Sequence, residues 1–296
     1  MSIELIETVK VGNILGECVL WDPRTTTVWW TDIEASRIYQ YDPVTKDVRF
    51  YVTPERLGSF GFTNDEEWLI AAFESGFAYY NPFNGLIKWI AKPQEHLSHI
   101  RFNDGRVDRQ GRFWAGTMVE NSDRGPEQGC LYRLDADGQA TVEIQNVMIS
   151  NSLCWSPDGK RMYFADSPKN RIDTYDFDTV SGGPSNKKFF TSTDAHIHPD
   201  GSTVDADGYL WNAQWGGSRI VRYTPSGAVD YILDLPVSQP TCVTFGGPDL
   251  SNLFVTTARA DLNVDQLSEQ PLAGDLLIYK TTIKGLTEPF TQMRRK

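Results

Sequence analysis

Apolar and polar residues alternate in short runs along most of the chain, and Asp-Gly, Pro-Asp-Gly and Gly-Gly pairs break the runs at short intervals. Period-two alternation between such turn clusters predicts β-strands. The stretch Asp200-Gly-Ser-Thr-Val-Asp-Ala-Asp-Gly-Tyr-Leu-Trp, continued by Gln214-Trp-Gly-Gly-Ser-Arg-Ile-Val-Arg-Tyr, shows the unit. It reads as strand, Asp-Gly turn, apolar strand ending in Trp211, Gly-Gly loop and third strand, a small antiparallel meander. Long amphipathic helical periods are missing, which argues against βαβ architectures.

The unit recurs. Copies are recognisable from Trp21, Phe62, Val107, Trp155, Val204 and Phe245, at separations of 41 to 49 residues. That period belongs to four-stranded propeller blades, and a trailing strand such as Asp47-Val-Arg-Phe-Tyr-Val or Ala140-Thr-Val-Glu-Ile supplies the fourth. The prediction is an all-β, six-bladed β-propeller of antiparallel blades, spanning 1–296 as one domain. Glu4-Leu-Ile-Glu-Thr-Val-Lys-Val precedes blade one and has no partner there. It is expected to pair with the last blade and close the ring, which removes exposed edges.

Composition narrows the function classes. With a net charge of -11 and no basic stripe, the chain is expected to avoid nucleic acid and anionic membrane surfaces. No apolar run approaches the roughly 18 residues of a membrane span, and Met1-Ser-Ile-Glu-Leu-Ile-Glu lacks a basic, then apolar, leader. A cytoplasmic protein is the expectation. Cys18, Cys130, Cys154 and Cys242 are too widely spaced for a zinc or disulfide framework and read as buried thiols.

Counting four residues back from the turn in each copy gives Glu17, Gly58, Asn103, Asn151, Asp200 and Thr241. Equivalent positions on innermost strands face one another around a propeller axis. Two carboxylates and two amide oxygens at one channel mouth match the ligands of a hard divalent cation, although a water-filled axis lined by polar strand starts is the alternative. Without a cation, Glu17 and Asp200 would repel each other and one pKa would rise.

Gly16-Glu-Cys-Val-Leu-Trp, Arg101-Phe-Asn-Asp-Gly-Arg-Val-Asp, Gly116-Thr-Met, Asn151-Ser-Leu-Cys-Trp-Ser-Pro-Asp-Gly, Pro199-Asp-Gly-Ser-Thr-Val-Asp, Phe245-Gly-Gly and Thr256-Thr-Ala-Arg together resemble the SMP-30/gluconolactonase (regucalcin-like) family. The resemblance runs in order along nearly the whole chain and is nearest to bacterial sugar aldonolactonases. It implies a six-bladed propeller with one divalent metal cation (Ca, Zn, Mn, Mg or Fe(II)) that hydrolyses a pentono- or hexonolactone to the aldonic acid. Glu17, Asn151 and Asp200 match the family's metal ligands, and Asn103 and Arg101 match residues at metal and substrate.

This chain departs from the family at several points. Its Gly-Glu-Gly/Ser pattern is here Gly16-Glu-Cys, its Asn-Gly is Asn151-Ser, and a Glu of the animal members is Asn121, after Glu120. The loop Glu120-Asn-Ser-Asp-Arg-Gly-Pro-Glu-Gln-Gly touches the sugar in the family, so Glu120 and Asn121 are candidate substrate residues; a lid and a plain solvated loop are the two readings of it. Trp215 is a candidate to stack on the sugar ring, the alternative being packing between blades. His196 and His198 alternate with Asp200, which suggests a softer second metal site on an extended strand. Pro199 argues instead for a polar connection, with His198 lining the pocket.

The implied mechanism has a cation polarising the lactone carbonyl and activating water. Asp200 receives the water's proton or only orients the water, and Arg101 binds hydroxyl or carbonyl oxygens and the developing oxyanion. Nucleophile elbow, Walker loop and His-Glu-x-x-His motifs are absent from the sequence. The competing functions are a non-catalytic Ca-binding propeller and a phosphotriesterase-type hydrolase. The latter group tends to hold a second structural calcium, for which the sequence offers no obvious ligand set.

Overall fold

The computed structural model describes residues 2–124, 128–135 and 137–292. β1 (Ile3–Val9) leads into blade one, made of β2 (Gly16–Asp22), β3 (Thr27–Asp32), β4 (Arg37–Tyr41) and β5 (Val48–Val52). Blade two is β6 (Leu57–Phe62), β7 (Leu69–Phe73), β8 (Gly76–Tyr80) and β9 (Ile87–Ala91). Blade three is β10 (Ile100–Val107), β11 (Phe113–Val119), β12 (Gly129–Leu134) and β13 (Ala140–Val147). Blade four is β14 (Ser150–Trp155), β15 (Arg161–Asp166), β16 (Arg171–Phe177) and β17 (Pro184–Ser192), and blade five is β18 (His198–Val204), β19 (Leu210–Trp215), β20 (Arg219–Tyr223) and β21 (Val229–Asp234). Blade six takes β22 (Pro240–Gly246), β23 (Asn252–Thr257) and, after the short helix α1 (Val264–Glu269), β24 (Leu276–Thr281).

Each blade is a four-stranded antiparallel meander, and in blade six the order is β1-β24-β23-β22. Ile3 stands opposite Thr281 and Val9 opposite Leu276, so the N-terminal strand closes the ring as expected. First strands contact first strands from blade to blade, and β22 meets β2. Burial follows the same radial order: β2 is buried along its whole length, while four of the five residues of β5 are exposed.

The repeated Asp-x-x-Gly-x-x-Trp sequence is a self-capping turn. Asp205 Oδ1 accepts the backbone N–H groups of Asp207 and Tyr209, both at 3.0 Å, and its Oδ2 accepts Trp211 Nε1–H at 2.9 Å. Gly208 lies between them at φ +84, a left-handed conformation that favours glycine. Asp108 does the same for Gln110, Arg112 and Trp114. One carboxylate therefore fixes the turn and anchors a fully buried indole, and the indoles pack between blades: Trp211 meets Phe245 edge-on at 5.4 Å, and Trp114 meets Trp155 at 5.7 Å.

Beyond β24 the chain crosses the face that carries these turns. Lys284 O accepts from Ala206 N at 2.8 Å, Gly285 N donates to Leu250 O at 2.8 Å, and Thr291 N donates to Phe62 O at 2.9 Å. The strap places Glu288 in an ion pair with Arg106, both nearly inaccessible to solvent. Two expectations need correction. Cys18, Cys154 and Cys242 are buried free thiols, but Cys130 is only half-buried, because it sits at the start of a third strand, away from the axis. Pro199 does not interrupt the strand; it is the second residue of β18.

Candidate active site

Five of the six register positions lie second or third in their inner strands, and Asn103 lies fourth in β10; all are near the face opposite the strap. A bulge directly follows Glu17 and Asn151 and encloses Asn103 and Asp200: the register shifts between Glu17 and Leu20, Phe102 and Gly105, Asn151 and Cys154, and Pro199 and Ser202. Bulges re-aim the side chains beside them. Cys18 and Ser152, directly after Glu17 and Asn151, take left-handed φ values of +48 and +60. These are the two positions at which the sequence departs from the glycine-bearing family pattern. The hydroxyl of Ser152 lies 2.8 Å from Asp200 O and 2.8 Å from Ser202 Oγ and accepts from Asn212 Nδ2 at 3.0 Å, so the strained residue is tied into a buried network under Asp200.

Glu17, Arg101, Asn103, Asn151, His198, Asp200 and Trp215 line one cavity of about 210 Å³. Its apolar wall comes from Leu15, Met118, Ile149, Pro168 and Pro199. The other two register positions add no oxygen to the cavity. A Cβ on Gly58 would lie 2.6 Å from Phe102 O, so blade two needs glycine there for close approach. Thr241 spends its hydroxyl on Gly16 O and Thr256 Oγ1.

The floor is acidic and buried. Burial, then the charge of Asp104, pushes the Glu17 carboxyl up to about 8. Burial and the neighbouring Glu17 raise Asp200 well above the ordinary carboxylate range. Asp104, raised chiefly by its own burial, accepts Leu153 N–H at 2.9 Å. The sequence reading missed Asp104, and the one signal available was its place in the Asn103-Asp104 tandem.

Arg101 is buried beside these acids. Its Nη1 donates to Asn103 Oδ1 at 2.8 Å and to Phe102 O at 3.0 Å, and its Nε donates to Glu120 Oε1 at 3.1 Å. Asn103 Nδ2 donates to Asn151 Oδ1 at 3.2 Å and Ser150 O at 3.0 Å, so its amide orients Asn151 while its oxygen serves Arg101. Glu120 stands behind Arg101 and does not line the cavity. Asn121 is exposed and its Oδ1 accepts Asp123 N–H at 2.9 Å. Residues 125–127 of the same loop lie outside the described residues.

His198 Nδ1 is 2.8 Å from Asn170 Oδ1 and 3.3 Å from Ser167 O. Both partners accept, so Nδ1 carries a proton, and in the neutral ring Nε2 is the acceptor. His196 is exposed, left-handed at φ +66 and outside β18, so it does not share a face with His198 and Asp200. Among the described residues no group of three or more His, Cys, Asp or Glu is arranged to hold a metal.

The set that does converge combines two carboxylates with amide oxygen. Asp200 Oδ1 is buried with no hydrogen-bond partner, and Asn151 Oδ1 has a single weak one. Leaving such an atom dry and unpaired costs roughly 1–3 kcal/mol or more. A hard divalent cation offsets the crowded negative charge and satisfies the orphaned oxygen, so the donors fit one.

The pattern of the SMP-30/Gluconolactonase/LRE-like region matches residues 15–259. The chain is 36% identical over 283 residues to the 6-deoxy-6-sulfogluconolactonase of Pseudomonas putida, covering 95% of this chain and 96% of that one. It is 36% identical over 277 residues to the L-arabinolactonase of Azospirillum brasilense, covering 93% and 91%. The crystal structure of a calcium-binding protein, regucalcin, from Agrobacterium tumefaciens superposes with a TM-score of 0.91 at 29% identity, with 98% of each chain covered. The chain belongs to the SMP-30/gluconolactonase family.

Proposed function

We propose that the protein is a sugar lactonase that hydrolyses a pentono- or hexonolactone to the aldonic acid with the help of one divalent cation (Ca, Zn, Mn, Mg or Fe(II)). Glu17, Asn151 and Asp200 would hold the cation, with Asn103 orienting Asn151. The observation that carries the reading is the buried, unpartnered Asp200 Oδ1 in a cavity shared with Arg101. Relatives with lactonase names, similar along more than nine-tenths of their length, point the same way.

A bound cation supplies Lewis-acid polarisation of a carbonyl and lowers the pKa of water. The rest of the chemistry falls to side chains. Water adds to the acyl carbon, the acyl carbon–ring oxygen bond breaks, and Asp200 takes or directs the water's proton while the ring oxygen leaves as a hydroxyl. The guanidinium of Arg101 faces the oxygen that becomes negative. Trp215 offers a flat apolar surface for the ring, and His198 Nε2 accepts from a sugar hydroxyl.

The decisive measurement is the hydrolysis rate of 1,4- and 1,5-lactones of pentonic and hexonic acids, on chelated and on metal-reconstituted protein. Metal-dependent turnover is expected, and Asp200→Ala should lower it at least ~100-fold while leaving the circular dichroism spectrum unchanged. Equal rates with and without cation, or normal turnover in the variant, would remove the proposal. A binding module shows no rate above spontaneous hydrolysis, and a phosphotriesterase prefers an activated phosphotriester in the same assay.

A further inference from the structure

The rim of the cavity carries a charge cluster that the chemistry above leaves unused. Arg56, in the connection from β5 to β6, donates from Nη1 and Nη2 to the two oxygens of Glu120 at 2.7 and 2.8 Å. Its Nε and Nη2 reach the two oxygens of Glu74, both at 2.9 Å, and its Nη1 lies 3.3 Å from Glu34 Oε1. Glu34 and Glu74 stand in the turns between the second and third strands of blades one and two, and Glu120 follows β11 of blade three. One guanidinium thus ties three blades at the mouth.

Glu120 is the junction of a longer series. The oxygen that accepts from Arg56 Nη1 also accepts from Arg101 Nε at 3.1 Å. Arg101 donates to Asn103, and Asn103 donates to Asn151. An unbroken run of hydrogen bonds therefore leads from the solvent edge to a candidate cation ligand. A two-point fork fixes the plane of a carboxylate, which a single ammonium does not. Freed from the fork, Glu120 would turn about its side-chain bonds at the start of a loop, and Arg101 would lose the partner on its Nε side.

We infer that Arg56 is a positioning residue for the lactone site, fixing Glu120 so that Glu120 holds Arg101 toward Asn103 and the cavity. The inference rests on the lactonase reading of the same site. It differs from an ordinary rim ion pair, whose removal affects stability alone and weakly.

The test uses the metal-reconstituted full chain with an uncharged aldonolactone, and compares wild type, Arg56→Met, Arg56→Lys, Glu120→Gln and the Arg56→Met/Glu120→Gln double variant. Thermal midpoints are read beside kcat and KM. Arg56→Met should lower kcat about tenfold with KM changed less than about threefold, because Arg101 is displaced from the oxygen that becomes negative while the cation ligands stay in place. Arg56→Lys should recover little of the loss, since it keeps the charge without the fork. On the Glu120→Gln background, Arg56→Met should add less than about twofold, because the two-point fork to Glu120 is its short route to Arg101, and Glu34, shared by both guanidinium groups, stands 3.9 Å from Arg101 Nη2.

Wild-type kinetics in Arg56→Met, full recovery in Arg56→Lys, or losses that multiply in the double variant would each overturn the inference and leave the lactonase reading standing. An inactive wild type on every lactone and cation would overturn both. Should Arg56→Met fail to fold, Arg56→Lys carries the same comparison on its own.

Discussion

Cys18 and Ser152 show how single residues hold the site under strain. Each takes a left-handed backbone that costs an L-residue roughly 1–2 kcal/mol, and each stands immediately after a candidate ligand. Ser152 is compensated by its hydroxyl, which bridges Asp200 O, Ser202 and Asn212. Ser152→Ala keeps the strain and loses the bridge, so the denaturant midpoint should fall by the equivalent of about 1–2 kcal/mol with an unchanged slope. Glu120 gives a pH signature. Burial alone would raise its carboxyl, but the Arg56 hydrogen bonds and the Arg101 charge outweigh burial and hold it below its ordinary value. A group depressed in the folded state stabilises above its unfolded pKa of about 4.3 and loses that contribution as pH falls through the folded value. Thermal midpoints of wild type and Glu120→Gln should therefore differ at neutral pH and converge as pH falls through the depressed folded value, by a margin kept small by solvent screening of a half-exposed group.

At the scale of elements, the propeller was legible because a polar turn followed by an apolar strand recurs in every blade, most completely as the Asp-capped turn that anchors a buried Trp in blades three and five, and the recurrence leaves a period in the sequence. The register of Glu17, Asn103, Asn151 and Asp200 was legible for the same reason, since equivalent positions on inner strands meet at the axis. What the sequence concealed was the bulge at each of these positions. A bulge changes which way a side chain points without changing the residue, and here it gives the Asn103 amide oxygen a hydrogen bond from Arg101 that no sequence pattern announces. Asp104, Arg56 and the apolar wall of Leu15, Met118, Ile149 and Pro168 escaped notice because their neighbours lie in other blades. The C-terminal strap was equally hidden, since its contacts are mostly backbone hydrogen bonds. It presses Glu288 against Arg106 in the channel, and losing one partner of a buried pair leaves the other charge unpaired. Glu288→Ala should lower unfolding free energy by about 3 kcal/mol, read from chemical denaturation; an unchanged midpoint would mean that channel water already solvates Arg106.

For the whole molecule, the ring is held shut by one strand drawn from the far end of the sequence. β1 pairs with β24 from Ile3 opposite Thr281 to Val9 opposite Leu276, with a bulge between Leu5 and Glu7. Only Val9 of that strand is buried, so the pairing depends on the hydrogen-bonded ladder far more than on apolar burial. Ladder bonds contribute roughly 1 kcal/mol net apiece, and a handful of them is a large share of the ~5–15 kcal/mol that separates folded from unfolded domains. Such distant pairing forms late, because loop closure must precede it. Without β1, β24 becomes a buried strand exposed along one edge, a template for pairing with other chains. Deleting residues 1–9 should accordingly lower the thermal midpoint sharply and produce oligomers in sedimentation velocity, and a synthetic peptide of residues 1–12 added in excess should restore both toward wild type by mass action. A deletion variant that stays monomeric with an unaltered midpoint would show that the remaining strands of blade six, together with the strap, close the ring unaided.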